Sequence, residues 1–243
     1  ERVNVQYHRY DSIQFREFLE ELATARVTPK RFKQSRVDGL PVPLKKRERS
    51  EPLAMADVFR ILSLRLDERC CLIADIGDAI FGAVGIRSAR QPQFIAPAYY
   101  MSMGFAVPAG IGVALASEKL RPHVLVGDGA FQMTGVEIST AVRLRLNPIF
   151  IILNNDGYGT MRQIRNGSFN TITRWNYARI CDLVGGGTGV IASTKGEFDS
   201  ALVRAQKSNG VFVIELKIPR DQVSKQLAQI ASEVRKVRGT NNS

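Results

Sequence analysis

Cysteine and histidine are scarce in this sequence, which has three cysteines and two histidines among its 243 residues. Cys70, Cys71 and Cys181 have neither metal-ligand nor disulfide spacing, and two of them are adjacent in a predicted strand. The scarcity argues against a zinc site of cysteine and histidine and against a small disulfide-stabilised scaffold. We expect the three thiols to be reduced core residues of a cytoplasmic protein.

Two further signatures are missing. No stretch resembles a transmembrane span or a signal peptide, so we expect no membrane association. No Gly-x-Gly-x-x-Gly follows a predicted strand, and the glycines at 185–187 follow a helix, which argues against a dinucleotide-binding fold. The length leaves ample core for one large or two small domains.

Acidic residues are outnumbered, with 23 against 34 basic ones and a net charge of +11. Part of this excess lies in one proline-containing segment, whose basic residues are Arg26, Lys30, Arg31, Lys33, Arg36, Lys45, Lys46, Arg47 and Arg49. Such a composition predicts an exposed linker over residues 26–50. Because aromatic residues are not interleaved with these charges, we expect no nucleic-acid partner.

Polar sequences follow two predicted strands. Residues 122–126 run into Gly127-Asp128-Gly129-Ala130, and residues 148–153 run into Asn154-Asn155-Asp156-Gly157, with a helix between them. A right-handed crossover makes the strands parallel and places both polar ends at one sheet edge, where open α/β folds bind ligands. The chain therefore predicts an α/β fold, with a doubly wound, mostly parallel sheet and helices on both faces.

Two local predictions concern helices. Thr134-Gly135-Val136-Glu137 has the form of a capping box, which assigns Glu137 a capping rather than a catalytic role. Residues 175–184 are predicted to form a helix that ends at the glycines that follow.

The polar ends carry chemistry that suits a metal and a diphosphate. Asp128 offers a carboxylate and Asn155 an amide oxygen, while Gly127, Gly129 and Gly157 allow a ligand to approach bare backbone. Mg²⁺ prefers such hard oxygen ligands together with phosphate oxygens. The residues predict a metal-bridged diphosphate site; the alternative is two ordinary tight turns in a parallel sheet.

The two motifs, with flanks reaching Thr134 and Thr160, resemble the signature of thiamine diphosphate enzymes. The surrounding sequence is most similar to the 2-oxo acid decarboxylases, which include pyruvate, indolepyruvate and phenylpyruvate decarboxylases. The resemblance covers about residues 53–220. It implies a cofactor domain over residues 51–243 that binds thiamine diphosphate and Mg²⁺. It also implies release of an aldehyde and carbon dioxide from a 2-oxo acid, with the cofactor accepting electrons.

The resemblance also implies a set of site residues. The metal ligands are Asp128, Asn155 and the carbonyl of Gly157. The cofactor-binding set is Asp78, Met101, Met103, Gly127, Asp128, Gly129, Ala130, Asn155, Gly157 and Tyr158. Met103 matches a bulky residue that props the cofactor into a bent shape, although without the resemblance the sequence favours a core methionine. Asp78 has the alternative of capping its own helix.

Three residues depart from the family pattern. Ile76 and Ala79 stand where the family often has threonine or serine near the diphosphate. Met161 stands where pyruvate and indolepyruvate decarboxylases have a proton-handling glutamate, which suggests a bulkier apolar substrate, a different product-forming step or lost activity. Nearby, Arg162 and Arg165 are either ligands of a substrate carboxylate or surface charges.

The family's activating glutamate lies on a separate pyrimidine-binding domain, usually from a neighbouring subunit, and we find no such domain here. We expect it from missing sequence or another chain, in a homodimer or homotetramer. Residues 1–25, with a strand at 3–5 and a helix at 13–25 capped by Ser12, resemble the tail of a preceding central domain. Without an initiator methionine, the chain is interpreted as a fragment or a processed product.

Two other functions are compatible with the sequence. Acetolactate synthase-like carboligases share the signature and would join the substrate to a second carbonyl compound. A non-catalytic remnant would retain the fold as an interaction module. The departures at 76, 79 and 161 favour the remnant, and the intact Asp128 and Asn155 oppose it.

Overall fold

The computed structural model describes residues 3–5, 8–10, 14–25 and 40–240, which belong to two compact units, 1–39 and 40–243. In the first unit, β1 (Val3–Val5) pairs antiparallel with β2 (His8–Tyr10) and is followed by α1 (Phe15–Thr24). The predicted strand and helix are therefore confirmed, and β2 is an addition. The predicted cap Ser12 and the basic residues 26–39 lie outside the described residues.

The second unit is built on a six-stranded sheet. Its strands are β3 (Cys70–Ala74), β4 (Gln93–Ile95), β5 (Arg121–Gly127), β6 (Ile149–Asn154), β7 (Thr188–Ala192) and β8 (Phe212–Lys217). They lie in the order β4-β3-β5-β6-β8-β7, and every neighbouring pair is parallel. Because β4 lies to one side of β3 and β5 to the other, the strand order reverses at β3 and β5, which is where such sheets bind ligands.

Helices cover both faces of this sheet. They are α2 (Met55–Arg65), α3 (Asp78–Ala83), α4 (Ala106–Ala116), α5 (Asp128–Thr134), α6 (Ile138–Arg143), α7 (Gly159–Ile164), α8 (Ile180–Leu183), α9 (Lys195–Lys207) and α10 (Lys225–Thr240). Alternate residues of β6 enter two separate cores: Ile149 and Ile151 pack with α2 and α9, whereas Phe150 and Ile152 pack with α4 and α6. Burial on both faces explains the continuous apolar runs of the strands. The predicted fold class is confirmed.

Two helix predictions were wrong. The capping box at Thr134 does not form, because the helix already begins at Asp128 and the Thr134 hydroxyl donates to the carbonyl of Gly104 at 2.7 Å. Residues 175–184 form a short 3-10 turn and α8 rather than one helix. In that segment the N–H of Ala178 donates to the buried Glu215 of β8 at 3.1 Å, which ties the turn to the sheet.

Residues 40–50, the described part of the predicted linker, pack within the second unit. Arg49 donates to the carboxylate of Asp199 on α9 at 2.9 Å, and Arg60 of α2 pairs with Glu48 at 3.1 Å. The packed segment therefore begins before residue 51, while the nature of residues 26–39 stays a prediction. Within the described ranges, no helix combines the length and the apolar character needed to cross a membrane.

Candidate functional site

A cavity of about 350 Å³ lies beyond the carboxyl ends of β3, β5 and β6. Its lining residues are Met55, Ile76, Gly77, Asp78, Ala79, Phe81, Met101, Met103, Gly127, Asp128, Gly129, Ala130, Leu153, Asn155, Gly157, Tyr158, Gly159, Thr160, Met161 and Ile164. This set contains every residue predicted for cofactor or metal binding. The parallel strands therefore bring together positions as far apart in sequence as Asp78 and Tyr158.

Asp128 is the central carboxylate of the cavity and is almost fully buried. Its Oδ1 accepts a hydrogen bond from the N–H of Gly129 at 2.8 Å, and its Oδ2 accepts one from Gly157 at 2.9 Å. Burial raises the pKa of Asp128 to about 6, although the hydrogen bonds to its carboxylate act in the opposite direction. The carboxylate is costly to bury alone and would gain strongly from a bound cation.

The loop after β6 has an uncommon backbone that glycine permits. Asp156 has φ +64° and Gly157 has φ +121°, a region that side chains disfavour. A Cβ at residue 157 would lie 2.2 Å from the carbonyl oxygen of Asn170. The side chain of Asn154 turns away to Glu215, at 2.7 Å, so the second asparagine of the pair, Asn155, is the one that lines the cavity.

Asp78 lies at the start of α3 on the cavity wall but does not cap that helix. Its Oδ2 instead accepts a hydrogen bond from the N–H of Ser224 at 2.8 Å, just before α10. In the part of the chain that the structure describes, the buried Oδ1 of Asp78 has no hydrogen-bond partner. Burial raises the pKa of this carboxyl group. One oxygen is thus left for a ligand group or a proton.

Asp75 is a site-building residue that the sequence analysis did not single out. It is fully buried and accepts hydrogen bonds from the N–H groups of Ile76 at 2.9 Å, Gly104 at 3.2 Å and Ala106 at 2.8 Å. It therefore fixes the segment that carries Met101 and Met103 to the end of β3. The available signal was a charged residue directly after a fully apolar strand.

Of the two arginines after the second motif, Arg162 fits neither prediction, whereas Arg165 is exposed, as the surface-charge alternative expected. Arg162 donates to three backbone carbonyls, those of Asn155, Asp156 and Arg220, at 2.8, 3.1 and 2.8 Å. The guanidinium of Arg165 lies over the ring of Phe169, 5.9 Å from its centroid. Neither arginine lines the cavity.

Met161 and Tyr158 shape the open side of the site. Met161 is 46% exposed and forms part of the cavity wall, where its thioether cannot transfer protons. The ring of Tyr158 lies over Gly129, because a Cβ on that glycine would be 2.5 Å from the ring. The glycine of the first motif thus makes room for the tyrosine of the second.

The donor set fits Mg²⁺ with a diphosphate. Among the residues that the structure describes, the cavity lining holds Asp78 and Asp128 but no lysine, arginine or histidine, so a divalent cation would offset the charge of a diphosphate bound there. Among the described residues, no three acidic, histidine or cysteine side chains cluster to form a metal site. A metal in this cavity would therefore need further ligands, such as phosphate oxygens. The protein offers Mg²⁺ one carboxylate, one amide oxygen and one carbonyl oxygen. Because Mg²⁺ prefers octahedral coordination, positions remain for phosphate oxygens.

Comparisons with known proteins identify the family. Residues 75–216 match a family model described as "Thiamine pyrophosphate enzyme, C-terminal TPP binding domain". An indole-3-pyruvate decarboxylase of Azospirillum brasilense is 39% identical over 184 residues, which are 74% of this chain and 33% of the relative. A pyruvate decarboxylase of Neurospora crassa is 32% identical over 185 residues, 74% of this chain and 32% of the relative.

A third relative aligns along nearly the whole chain. Pyruvate decarboxylase 3 of Arabidopsis thaliana is 30% identical over 242 residues, 95% of this chain and 40% of the relative. The chain thus spans about a third of the length of the curated relatives it matches. The matches confirm the predicted family. They also confirm its cofactor, thiamine pyrophosphate, which is another name for thiamine diphosphate, together with the Mg²⁺ usual for the family. The chain therefore belongs to the thiamine pyrophosphate enzyme family and carries its C-terminal, cofactor-binding domain.

Proposed function

We propose that this chain holds Mg²⁺ and thiamine diphosphate for an enzyme that decarboxylates a 2-oxo acid to an aldehyde. One observation carries the proposal: the ten residues expected at the cofactor all line a single cavity around the buried Asp128. In this proposal the carboxylate of Asp128, the side-chain oxygen of Asn155 and the carbonyl of Gly157 are the metal ligands.

The remaining cavity residues position and shield the cofactor. The backbone at Gly127 and Ala130 faces the diphosphate, while Tyr158 packs over Gly129 and Asp78 lies on the cavity wall. Met101 and Met103 hold the organic rings, with Met103 as the prop. When bound, thiamine diphosphate supplies the electron sink for loss of carbon dioxide. The protein orients the cofactor and excludes water from it.

We further propose that the substrate is a 2-oxo acid with an apolar side chain. Met161, Phe81 and Ile164 give the cavity an apolar wall. The resemblance implies a glutamate at the position of Met161 in pyruvate and indolepyruvate decarboxylases. The relatives are named for indole-3-pyruvate and pyruvate, which differ widely in side-chain size. Apolar contact discriminates such substrates by roughly 10–200-fold for each added or missing methylene group.

The proposed enzyme is completed by a second domain. The activating glutamate comes from a pyrimidine-binding domain outside this chain or on another subunit, in a homodimer or homotetramer. Tyr99 and Tyr100 are 90% and 85% exposed beside the segment that carries Met101, and such an aromatic surface favours a partner. The buried, unpaired thiols of Cys70, Cys71 and Cys181 favour a cytoplasmic location.

Native mass spectrometry of the protein purified from its source, without added cofactor, tests the binding half of this proposal. We expect dimers or tetramers that carry thiamine diphosphate and Mg²⁺. A 2-oxo acid panel tests the chemistry, with aldehyde release expected from decarboxylation and carbon–carbon bond formation from a carboligase. Protein that stays free of cofactor after both components are supplied would contradict the proposal.

A non-catalytic role is the second candidate, because Ile76, Ala79 and Met161 all lack the polar groups that the family often has there. Under this alternative the fold serves as an interaction module. The two candidates differ in one observable, since the proposed enzyme binds Mg²⁺ with thiamine diphosphate and the remnant does not.

A further inference from the structure

Arg162 contacts the loop of Asn155, Asp156 and Gly157 and is not one of the residues that line the cavity. Its Nη2 donates to the carbonyls of Asn155 and Arg220, each at 2.8 Å, and its Nη1 donates to that of Asp156 at 3.1 Å. The guanidinium also packs against Gly157, where a Cβ would lie 3.2 Å from Nη1. One side chain thus contacts the whole loop and the chain segment after β8.

The loop needs such support because its backbone is unfavourable. Asp156 and Gly157 are consecutive residues with positive φ, and Asp156 is not a glycine. For a non-glycine residue such as Asp156, this conformation costs about 1–3 kcal/mol and persists only when the surroundings fix it. On another side of the loop, Arg174 binds the carboxylate of Asp156 through two contacts of 2.6 Å.

The hydrogen bonds of Arg162 decide which oxygens of the loop remain for a cation. The carbonyls of Asn155 and Asp156 are engaged by the guanidinium. Each of these two carbonyls keeps a second lone pair, but it lies beside a positive charge that disfavours a cation. Among the described residues, the carbonyl of Gly157 instead accepts from the uncharged N–H of Gly159 at 2.8 Å, so its second lone pair suits a cation better. The side chain of Asn155 lines the cavity.

From this geometry we propose that Arg162 is the positioning residue of the metal loop, an inference that rests on the function proposed above. It fixes the loop so that the Asn155 side chain and the Gly157 carbonyl remain available beside Asp128. Because the same guanidinium binds the carbonyl of Arg220, it also ties the loop to the segment that leads into α10. Lysine cannot replace it fully, because an ammonium lacks the planar fork that serves three carbonyls at once.

The loss of the positive charge of Arg162 and the loss of its hydrogen bonds to the loop should change the affinity for the metal in opposite directions. A guanidinium near a cation site repels the cation, so removal of its charge alone would tighten metal binding. Loss of positioning would weaken it, by about 10–100-fold for a group that orients metal ligands. A weaker site in Arg162→Gln therefore points to positioning.

The test measures Mn²⁺ binding by electron paramagnetic resonance, with thiamine diphosphate present, at about pH 8, where carboxylates are ionised. The proteins are the wild type, Arg162→Gln, Arg162→Lys and the control Arg165→Gln. We expect Arg162→Gln to bind Mn²⁺ about 10–100-fold more weakly, Arg162→Lys to be intermediate and Arg165→Gln to match the wild type. The spectrum of bound Mn²⁺ should change in Arg162→Gln, because the ligand geometry changes.

Four outcomes overturn the inference. Unchanged or tighter Mn²⁺ binding in Arg162→Gln, with binding by the wild type intact, removes Arg162 from the site and leaves the proposed function standing. A lowered melting temperature of Arg162→Gln with unchanged Mn²⁺ affinity would show that Arg162 supports folding alone. If the wild type does not bind Mn²⁺ with thiamine diphosphate, the proposed function fails and the inference fails with it. Should Arg162→Gln not fold, Arg162→Lys decides, and wild-type affinity in that variant overturns the inference.

Discussion

The Oδ2 of Asp128 accepts a hydrogen bond from the N–H of Gly157 at 2.9 Å, across 29 positions of sequence. The contact follows from the register of the sheet, in which Gly127 at the end of β5 lies beside Leu153 of β6. The two motifs are therefore parts of one structure, and each determines the shape of the other. This relationship explains why substitutions in either motif should affect the whole site.

Gly157→Ala should destabilise the fold strongly. The new Cβ would combine φ +121° with a separation of 2.2 Å from the Asn170 carbonyl oxygen. Gly210→Ala is the matched control, since it has φ +110° and no described atom within 4 Å of its Cβ. Urea unfolding should show a loss of roughly 1–3 kcal/mol for the control and a larger loss for Gly157→Ala. Equal losses would show that the contact with Asn170 is unimportant.

Asp75→Asn should loosen the segment that carries Met101 and Met103. The amide cannot accept the three backbone hydrogen bonds that the carboxylate accepts, so the free energy of unfolding should fall by about 2–4 kcal/mol. Thr134→Val, which loses only the bond to the Gly104 carbonyl, should cost about 1 kcal/mol. Urea unfolding measures both. A smaller loss in Asp75→Asn than in the control would contradict the assigned role.

Met161→Glu should change the preference between substrates. A carboxylate replaces an apolar side chain of the cavity wall, so kcat/KM for phenylpyruvate should fall relative to pyruvate by about 10-fold. Met161→Gln has similar size without charge and separates the loss of apolar contact from the effect of the carboxylate. Steady-state kinetics on both substrates with the complete enzyme measure the ratio. An unchanged ratio would place Met161 outside the substrate pocket.

His123 predicts an acid-dependent loss of stability. It is fully buried at the start of β5, and burial lowers its pKa from 6.5 to about 4. The unfolded chain binds a proton on this ring below about pH 6.5, whereas the folded chain does so only near pH 4, so acid favours unfolding.

Relative to His123→Gln, wild-type stability should therefore fall by roughly 3 kcal/mol between about pH 6.5 and 4, and the difference should be constant above pH 7. Urea unfolding at several pH values measures this difference. Parallel pH profiles for the two proteins would show that His123 does not stay neutral in the folded state.

The sequence predicted the sheet from local patterns, and it predicted the cavity residues from the resemblance of its two motifs to thiamine diphosphate enzymes. Apolar runs that end in Gly127-Asp128-Gly129 and Asn154-Asn155 specify parallel strands and polar ends without tertiary information. The boundary of α5 was missed because Asp128 enters a helix directly after β5, where no separate cap is needed. Thr134 looked like a cap and instead bonds the distant Gly104.

The supporting contacts could not be predicted from the sequence, because they join distant segments. The bond from Ser224 to Asp78 and the bond from Arg162 to Arg220 depend on the path of the chain after β8. Arg162 carried only a charge signal, which fits a surface residue or a substrate ligand equally. Only the fold shows that its partners are backbone carbonyls.

The most direct test of the account is calorimetric titration of thiamine diphosphate, with and without Mg²⁺, into the wild type and Asp128→Ala. Asp182→Ala is the control, since Asp182 pairs with Arg179 on the surface. We predict that Mg²⁺ tightens binding to the wild type and to the control, and that Asp128→Ala loses more than about 100-fold in Mg²⁺-dependent affinity, beyond the range of residues that only orient ligands. The same Mg²⁺-dependent affinity in Asp128→Ala and the wild type would contradict the assignment of Asp128 as the metal ligand at the centre of this site.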